Sequence, residues 1–161
     1  MTINEFNNAV DQYADRLYRY ALKQAGDEAL ASDMVQEAFE VLWLNRKKIN
    51  FEKARGYLLS TAHNRIIDVH RREQRKIDYE EVNAENHYYC QEYSGTMEFI
   101  DDLLNHLAPE QKSVLLLRDY EGYKYKEIAE ITGLSVSQVK VYIHRARKYL
   151  KHYIGKMDNL L

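Results

Sequence analysis

The side chains best suited to chemistry in this sequence are those that bind anions, and they lie in two clusters. The first is Ser135–Leu150, which reads SVSQVKVYIHRARKYL and combines hydroxyl, amide and basic side chains. The second, HNRIIDVHRREQRK, contains Asn64, Arg65, Arg71 and Arg72. Amide and guanidinium groups pair with base edges, and basic groups pair with phosphates. Both clusters therefore indicate contact with nucleic acid.

The distribution of charge along the chain supports this interpretation. The 161 residues carry a net charge of -2, yet residues 45–78 carry +6 and residues 132–161 carry +5. Residues 79–102, which lie between the two basic blocks, carry -7, and residues 1–44 carry -5. Ordinary solvated helix faces would scatter the two signs. Two basic blocks separated by an acidic one are typical of a protein that contacts a polyanion at two places.

Residues that could support catalysis or hold a metal ion are poorly spaced. His63 and His70 are seven positions apart on one predicted helix, whereas metal-binding helices use a four-residue step. His87 and Cys90 have no two further ligands near them. The sequence contains neither a glycine-rich phosphate loop nor a nucleophile elbow. We therefore expect no enzymatic activity, no metal site and no cofactor.

The hydropathy of the chain indicates a cytoplasmic protein. Its longest aliphatic run is VLLL at Val114–Leu117, far short of the roughly 20 residues that a membrane span needs. The N-terminal sequence MTINEFNN has no basic start and no apolar core, so we expect no signal peptide. Cys90 is the single cysteine, which excludes an internal disulfide.

Apolar residues recur at helical spacing through most of the chain, which predicts an all-α fold. The spacing is lost near residues 77–96, where acidic, Asn and Tyr side chains mix around Gly95. We predict two small helical domains, 1–78 and 101–161, joined by a flexible acidic linker at 79–100. The predicted helices of the first domain span residues 4–24, about 28–45 with Asp27 as N-cap, and about 54–76.

Residues Tyr125–Leu150 have the pattern of a helix-turn-helix motif. Ile128 and Ala129 belong to a short first helix, and Gly133 permits the left-handed backbone of the turn. The predicted buried stripe of the second helix consists of Val136, Val139, Ile143, Ala146 and Leu150. The opposite face can enter a major groove, where Arg145 could read guanine and Gln138 adenine.

A helix-turn-helix by itself leaves the function open. It fits a stand-alone transcriptional regulator that has an N-terminal interaction domain and binds DNA as a dimer. An ordinary helical hairpin with a basic outer face is a further alternative. The first half of the chain must decide between these interpretations.

The first half carries two segments, DMVQEAFEVLW (Asp33–Trp43) and ARGYLLSTAHNRIIDVHRR (Ala54–Arg72). With the helix-turn-helix that follows, they resemble the extracytoplasmic-function (ECF, group IV) sigma factors of bacterial RNA polymerase. In this resemblance Tyr13–Lys76 corresponds to sigma region 2 and Asp101–Lys151 to region 4. It implies binding to core RNA polymerase and promoter DNA, and control by an anti-sigma factor that is often membrane-anchored. The regulator alternative leaves the DxxQE and NxxxDxxRR patterns unexplained.

The resemblance also implies roles for individual residues. Residues expected to dock on the polymerase are Asp33, Gln36, Glu37 and Glu40. Residues expected to melt the -10 element, capture one flipped base and hold its backbone are Lys53, Arg55, Asn64, Arg65, Arg71, Arg72, Arg75 and Lys76. Residues expected at the -35 element are Ser137, Gln138, Lys140, Val141, Tyr142, His144, Arg145 and Lys148. Asp68 is expected either to pair with a nearby arginine or to have a role at the DNA, and His63 departs from the apolar residue common at its position.

Overall fold

The structure, a computed structural model, describes residues 1–80 and 95–158. Within these ranges it is all-α, which confirms the predicted fold class. Its helices are α1 (Ile3–Ala25), α2 (Glu28–Asn45), α3 (Phe51–Glu80), α4 (Thr96–Asn105), α5 (Pro109–Leu115), α6 (Tyr125–Thr132) and α7 (Val136–Asp158), and a π-helical turn (Leu116–Tyr120) continues α5.

Two helix ends reach into the segment that was predicted to be irregular. The helix α3 continues to Glu80 instead of ending near Lys76, and α4 begins at Thr96. The sequence after Arg71 has little apolar periodicity but consists of Arg, Glu, Gln and Lys, which are good helix formers. The helix propensity of these residues thus extends α3 beyond the part that packs against the core. The remainder of the predicted linker, residues 81–94 with Cys90, lies outside the described residues.

Local capping explains where the first two helices begin and end. The Thr2 hydroxyl accepts from the Glu5 amide at 3.2 Å, and the Glu5 carboxylate accepts from the Thr2 amide at 2.7 Å. This reciprocal pair forms a capping box. Gly26 ends α1 with φ of +67°, a left-handed conformation that glycine adopts without strain. Asp27 then caps α2 by accepting from the Leu30 amide at 2.9 Å, as the sequence predicts.

The helices α1, α2 and α3 pack as a three-helix unit with small residues at their contacts. The fully buried alanines are Ala9, Ala21, Ala31, Ala38, Ala54 and Ala62. Small side chains let helix backbones approach closely, while Leu17, Met34 and Leu42 fill the space between them. This unit fixes the outward faces of α2 and α3.

The helices α4 to α7 form the second unit and include the helix-turn-helix. Glycines with positive φ end two of its helical segments, Gly122 after the π-helical turn and Gly133 after α6. Arg147 of α7 donates to both carboxylate oxygens of Asp119, at 2.6 and 3.3 Å, which ties the π-helical turn to α7. Val139 and Ile143 bury their side chains against this framework.

The two units also pack against each other, which the prediction of two tethered domains did not include. The buried residues form one continuous core, with α5 and α6 packed on α3. At its centre the Ser113 hydroxyl lies 2.7 Å from the Tyr20 hydroxyl and 2.6 Å from His63 Nδ1. We call this contact region between α1 and α3 on one side and α5, α6 and the π-helical turn on the other the junction.

Candidate nucleic-acid interface

The α7 face presents most of the side chains predicted to contact the -35 element. The exposed members of this α7 face are Ser137, Gln138, Lys140, Val141, His144, Arg145 and Lys148. Tyr142 differs, because its ring is half-buried and packs against the core. Within the described residues no ion pair engages Arg145 or Lys148. Their charges are therefore directed to solvent, as an electrostatic contact with DNA requires.

In the first turn of α7, Gln138 has a structural role that its predicted contact with DNA does not include. The Ser135 hydroxyl accepts from the Gln138 amide at 3.1 Å, and Gln138 Oε1 accepts from the Ser135 amide at 3.0 Å. This capping box occupies the side-chain oxygen of Gln138. Bidentate reading of adenine needs both the oxygen and the nitrogen of the amide. In this conformation Gln138 starts the helix and does not have both groups free for a base.

The buried stripe of α7 is shorter than predicted. Val139, Ile143 and Ala146 are buried, but Val136 is 38% exposed and Leu150 is only half-buried. Val136 is the first residue of the helix, so no preceding turn covers it. The turn itself is as predicted, with Gly133 at φ of +76°. Three inward residues suffice to fix which face of α7 points outward.

We call the side chains predicted to contact the -10 element the α3 face. Some of them are exposed, and others are engaged by acidic side chains of the protein. Its exposed members are Lys53, Asn64, Arg71, Arg72, Arg75 and Lys76. Arg55 is engaged across the junction, where it lies 3.6 Å from Glu121 and its guanidinium stacks 4.5 Å from the centre of the Tyr123 ring. Arg65 pairs with Glu37 at 3.1 Å. These two arginines are thus held within the protein in this conformation.

At the centre of α3 the structure buries one polar side chain and contradicts one expected ion pair. His63, which departs from the apolar residue common at its position, is 3% exposed and faces Ser113. Burial lowers the pKa of His63 to about 4, against a smaller opposing effect of Glu110. Asp68 is exposed and pairs with no arginine among residues 1–80 and 95–158. Its helical position carries it into solvent, where ordering long side chains offsets the gain from pairing.

The α2 face, defined by Asp33, Gln36, Glu37 and Glu40, is a separate surface with an acidic rim. Asp33, Gln36 and Glu40 are exposed and Glu37 is half-buried. Gln36 and Glu40 also line an apolar groove of about 490 Å³ with Phe6, Phe39, Trp43 and Leu44. Leu44 is 77% exposed and Trp43 is 36% exposed.

Helical periodicity alone does not reveal this groove, although the sequence VLWL contains a signal for it. Trp43 and Leu44 follow Leu42, which alone completes the buried stripe of α2. The Trp43 ring packs edge-on to Phe6 at 4.9 Å between centroids, and Arg46 stacks on its face at 3.8 Å. An exposed apolar groove beside polar residues marks an interaction surface.

Within residues 1–80 and 95–158, no helix is both long enough and apolar enough to cross a bilayer.

Comparison with known proteins identifies the family. Residues 9–76 match the family model of Sigma-70 region 2, and residues 99–150 match that of Sigma-70, region 4. The chain is 31% identical over 157 residues to the ECF RNA polymerase sigma factor SigL of Mycobacterium tuberculosis, covering 88% of this chain and 84% of SigL. This chain belongs to the ECF RNA polymerase sigma factors.

Other relatives of this sigma factor agree. It is 31% identical over 159 residues to the ECF RNA polymerase sigma factor SigE of Mycolicibacterium smegmatis; the match covers 94% of this chain but 62% of that relative. The sigma factor RpoE of Bartonella quintana, solved with the anti-sigma factor NepR, shares the fold with a TM-score of 0.77 at 18% identity, covering 95% and 98% of the two chains. The match to region 2 explains the N-terminal half of the chain, which a stand-alone regulator would leave unexplained. Promoter-specific transcription initiation is therefore favoured over the regulator alternative.

Proposed function

We propose that this sigma factor docks on core RNA polymerase through the α2 face, reads the -10 element with the α3 face and reads the -35 element with the α7 face. The observation that carries the proposal is the separation of these faces. An acidic and apolar surface lies on α2, and two basic surfaces lie on α3 and α7. We assign residues 1–78 to polymerase docking and to recognition and melting of the -10 element, residues 101–161 to the -35 element and residues 79–100 to the acidic linker.

The α7 face supports major-groove reading by its geometry. A helix that follows a tight turn places its first exposed residues against base edges, while later basic residues hold phosphates. Arg145 and Lys148 lie on the same side of α7, one turn apart. We assign Arg145 to a base edge and Lys148 to the backbone. Tyr142 supports the recognition helix from behind instead of contacting a base directly.

The α3 face supports capture of a single unstacked base. Asn64 is exposed, and its amide can pair with a Watson–Crick edge once the base has left the stack, a step that costs a few kcal/mol. The four basic residues that follow, from Arg71 to Lys76, are exposed and can hold the phosphates of the melted strand. Arg55 can join them only when it leaves Glu121.

The α2 face supports docking to a partner helix that combines basic and apolar side chains. Leu44 and Trp43 offer apolar area to such a helix, while Glu40 and Asp33 offer acceptors at the rim of the groove. Opposite charges at the rim of an interface steer association and fix its register. The factor itself performs no chemistry in this proposal, and catalysis belongs to the polymerase.

One further partner and a path for the acidic linker belong to the same proposal. RpoE of Bartonella quintana was solved with the anti-sigma factor NepR, and we propose that an anti-sigma factor, in membrane-anchored form, likewise controls this chain in the cytoplasm. We also propose that the acidic linker follows the RNA channel of the polymerase, because its charge of -7 resembles that of a nascent transcript.

In vitro transcription on genomic promoter fragments tests the main assignment. We expect bacterial core polymerase to give promoter-specific transcripts only when this protein is added. Absence of such transcripts, together with a palindromic footprint made by the free protein, would establish the regulator alternative instead.

A pair of matched variants tests the docking surface. Leu44→Glu should abolish co-elution with core polymerase in gel filtration, because it places a charge in the apolar groove. Ile154→Glu is the control, since Ile154 is 47% exposed on α7, away from the groove. Equal co-elution of the two variants would remove the groove from the docking surface.

A further inference from the structure

We propose that the cavity between α1 and the π-helical turn is a binding site for a nucleoside phosphate, with arginines of α1 on the phosphate and Tyr120 stacked on the base. The cavity shares no residue with the α2, α3 and α7 faces. The inference therefore goes beyond the proposed function and does not depend on it. Its evidence is the free charge of two arginines in the described part of the chain, the exposed ring across the cavity, and the backbone turn that presents this ring.

The cavity has a buried floor between two polar walls. It measures about 260 Å³, just below the roughly 300 Å³ at which small-molecule sites commonly begin. Tyr20 and Leu116 line it although they are only 2% and 1% exposed, so these two side chains form its floor. A cavity of this size suits a single nucleotide whose outer atoms remain in solvent.

The basic wall of the cavity comes from one face of α1. Arg16, Arg19 and Lys23 recur at steps of three and four residues, which places them on the same side of the helix. Arg16 and Arg19 are exposed, and neither forms an ion pair within residues 1–80 and 95–158. Lys23 differs, because its amine lies 3.6 Å from Asp101. Two unpaired guanidiniums one turn apart can share a phosphate group through charge-assisted hydrogen bonds.

The opposite wall offers an aromatic ring and a hydrogen-bond acceptor. Tyr120 is 50% exposed, and the Lys23 amine lies 4.7 Å from the centre of its ring. The ring therefore keeps exposed area on which a nucleotide base can stack. Glu121 also lines this wall, and its pairing with Arg55 at 3.6 Å offsets its charge. Its carboxylate can accept a hydrogen bond from the exocyclic amino group of a base. A ligand that matches both walls carries an anion and a planar ring with a donor, which is the chemistry of a nucleoside phosphate.

The backbone of the π-helical turn presents this wall. The Glu121 amide donates to the Leu116 carbonyl, five positions back, at 3.0 Å, and Gly122 then ends the segment with φ of +72°. Turns of this kind are rare, and they recur at functional sites. The turn does not serve to bury Tyr120, because half of that side chain remains exposed beside α1. Its geometry instead holds an aromatic ring at the mouth of the cavity.

Calorimetric titration of the free, full-length protein with ADP tests the site. The buffer contains about 0.1 M salt, which screens distant charges, and no divalent cation, so that the phosphates meet the arginines directly. We expect one equivalent of ADP to bind about 10-fold more tightly than either inorganic pyrophosphate or adenosine, because only ADP engages both walls. Equal affinities of ADP and pyrophosphate would reduce the cavity to a surface that attracts anions and would overturn the proposal. Absence of ADP binding would overturn it as well.

Two pairs of matched variants locate the bound ADP. Arg19→Ala should weaken binding about 10-fold, whereas Lys47→Ala removes a positive charge at an exposed position outside the cavity and should leave the affinity unchanged. Tyr120→Ala should also weaken binding about 10-fold, whereas Tyr120→Phe keeps the ring and should bind like the wild type. Arg19 and Tyr120 are both exposed, so these variants should fold, which circular dichroism checks. ADP binding that survives both alanine substitutions would lie on another basic surface and contradict the proposal.

Thermal unfolding gives a second readout. Because the two walls belong to different helical units, bound ADP should raise the Tm of the wild type and of Lys47→Ala but not that of Arg19→Ala. An equal rise in all three proteins would come from ADP bound elsewhere and would count against the site. The proposed function is tested separately, since a failure of promoter-specific transcription leaves the ADP site standing and a failure of ADP binding leaves the promoter assignments standing.

Discussion

The two basic surfaces of this sigma factor differ in how accessible they are. On the α7 face, Arg145 and Lys148 point into solvent and pair with no acidic side chain in the described part of the chain. On the α3 face, Arg55 and Arg65 are already paired with carboxylates. In the proposed function the α7 face reads duplex DNA and is exposed, whereas two of the arginines proposed to contact melted DNA are held within the protein. The comparison teaches that tertiary packing decides which basic side chains are free.

The largest expected effect is a loss of folding stability on acidification, caused by His63 at the junction. Because its pKa is lowered to about 4 in the folded state, unfolded protein binds more protons between that pH and the ordinary pKa near 6.5. The contribution of His63 is therefore fully present above pH 6.5 and is lost as the pH falls toward 4. Urea unfolding should show a loss of roughly 2–3 kcal/mol between pH 7.5 and 4.5 from this group.

A comparison of His63→Gln with His144→Gln isolates that contribution. His144 is exposed on α7. We therefore expect the free energy of unfolding of His144→Gln to depend on pH as it does in the wild type. Between pH 7.5 and 4.5, the free energy of unfolding should fall less in His63→Gln than in the wild type, by roughly 2–3 kcal/mol. A pH dependence shared by all three proteins would show that other groups govern acid unfolding.

Arg145→Ala should weaken promoter binding by the holoenzyme by about 1–3 kcal/mol, with the loss concentrated at one -35 position. The reason is that an exposed guanidinium on the α7 face can make a bidentate contact with guanine. Quantitative footprinting on a promoter and its single-base variants measures the loss. Lys151→Ala, which also removes an exposed positive charge on α7, should cost affinity uniformly across sequences. A loss below a few tenths of a kcal/mol for Arg145→Ala would assign it to an ordinary surface.

Gln138 should affect stability more than sequence preference. Removing its capping oxygen in Gln138→Ala should lower the free energy of unfolding by about 1 kcal/mol. Gln138→Glu keeps an acceptor for the Ser135 amide and should preserve stability, while its charge weakens binding to DNA. Denaturant unfolding of the two variants side by side checks this. If both variants keep wild-type stability, the capping box does not contribute.

The smallest effect concerns the pair of Arg65 and Glu37, which joins the α3 face to the α2 face. Both side chains are about a third or more exposed, so a double-mutant cycle with Arg65→Ala and Glu37→Ala should give a coupling of only about 0.2–1 kcal/mol. Solvent screening should reduce that coupling further in high salt. If Glu37→Gln strengthens binding of the melted -10 strand, Arg65 is shared between the pair and DNA.

Much of the outward-facing site could be predicted from the sequence. The apolar stripes of α2, α3 and α7 determine which residues point to solvent, and the predicted exposed faces follow from them. Gly26, Asp27 and Gly133 mark helix ends because their backbone or side-chain chemistry suits those positions. These are local effects, and local sequence is sufficient to predict them.

The sequence did not reveal features in which a side chain finds a distant or an unexpected partner. His63 is buried and lies against Ser113, which is fifty positions away in the chain. Gln138 is predicted to read a base, and its side-chain oxygen also closes a capping box with Ser135. The groove formed by Phe6 and Trp43 also needs two helices at once. No periodicity in a single helix contains this information.

The sequence by itself determined the helices, their exposed faces and the alternation of charge, because propensity, apolar period and capping act within a few residues. Only the tertiary structure decided which of the exposed charges are free. Pairing of Arg55 with Glu121 across 66 positions depends on how α6 packs against α3. Packing brings together residues that are far apart in the chain, and their charges then compete with DNA for the same partner. For this reason the junction appears only in three dimensions.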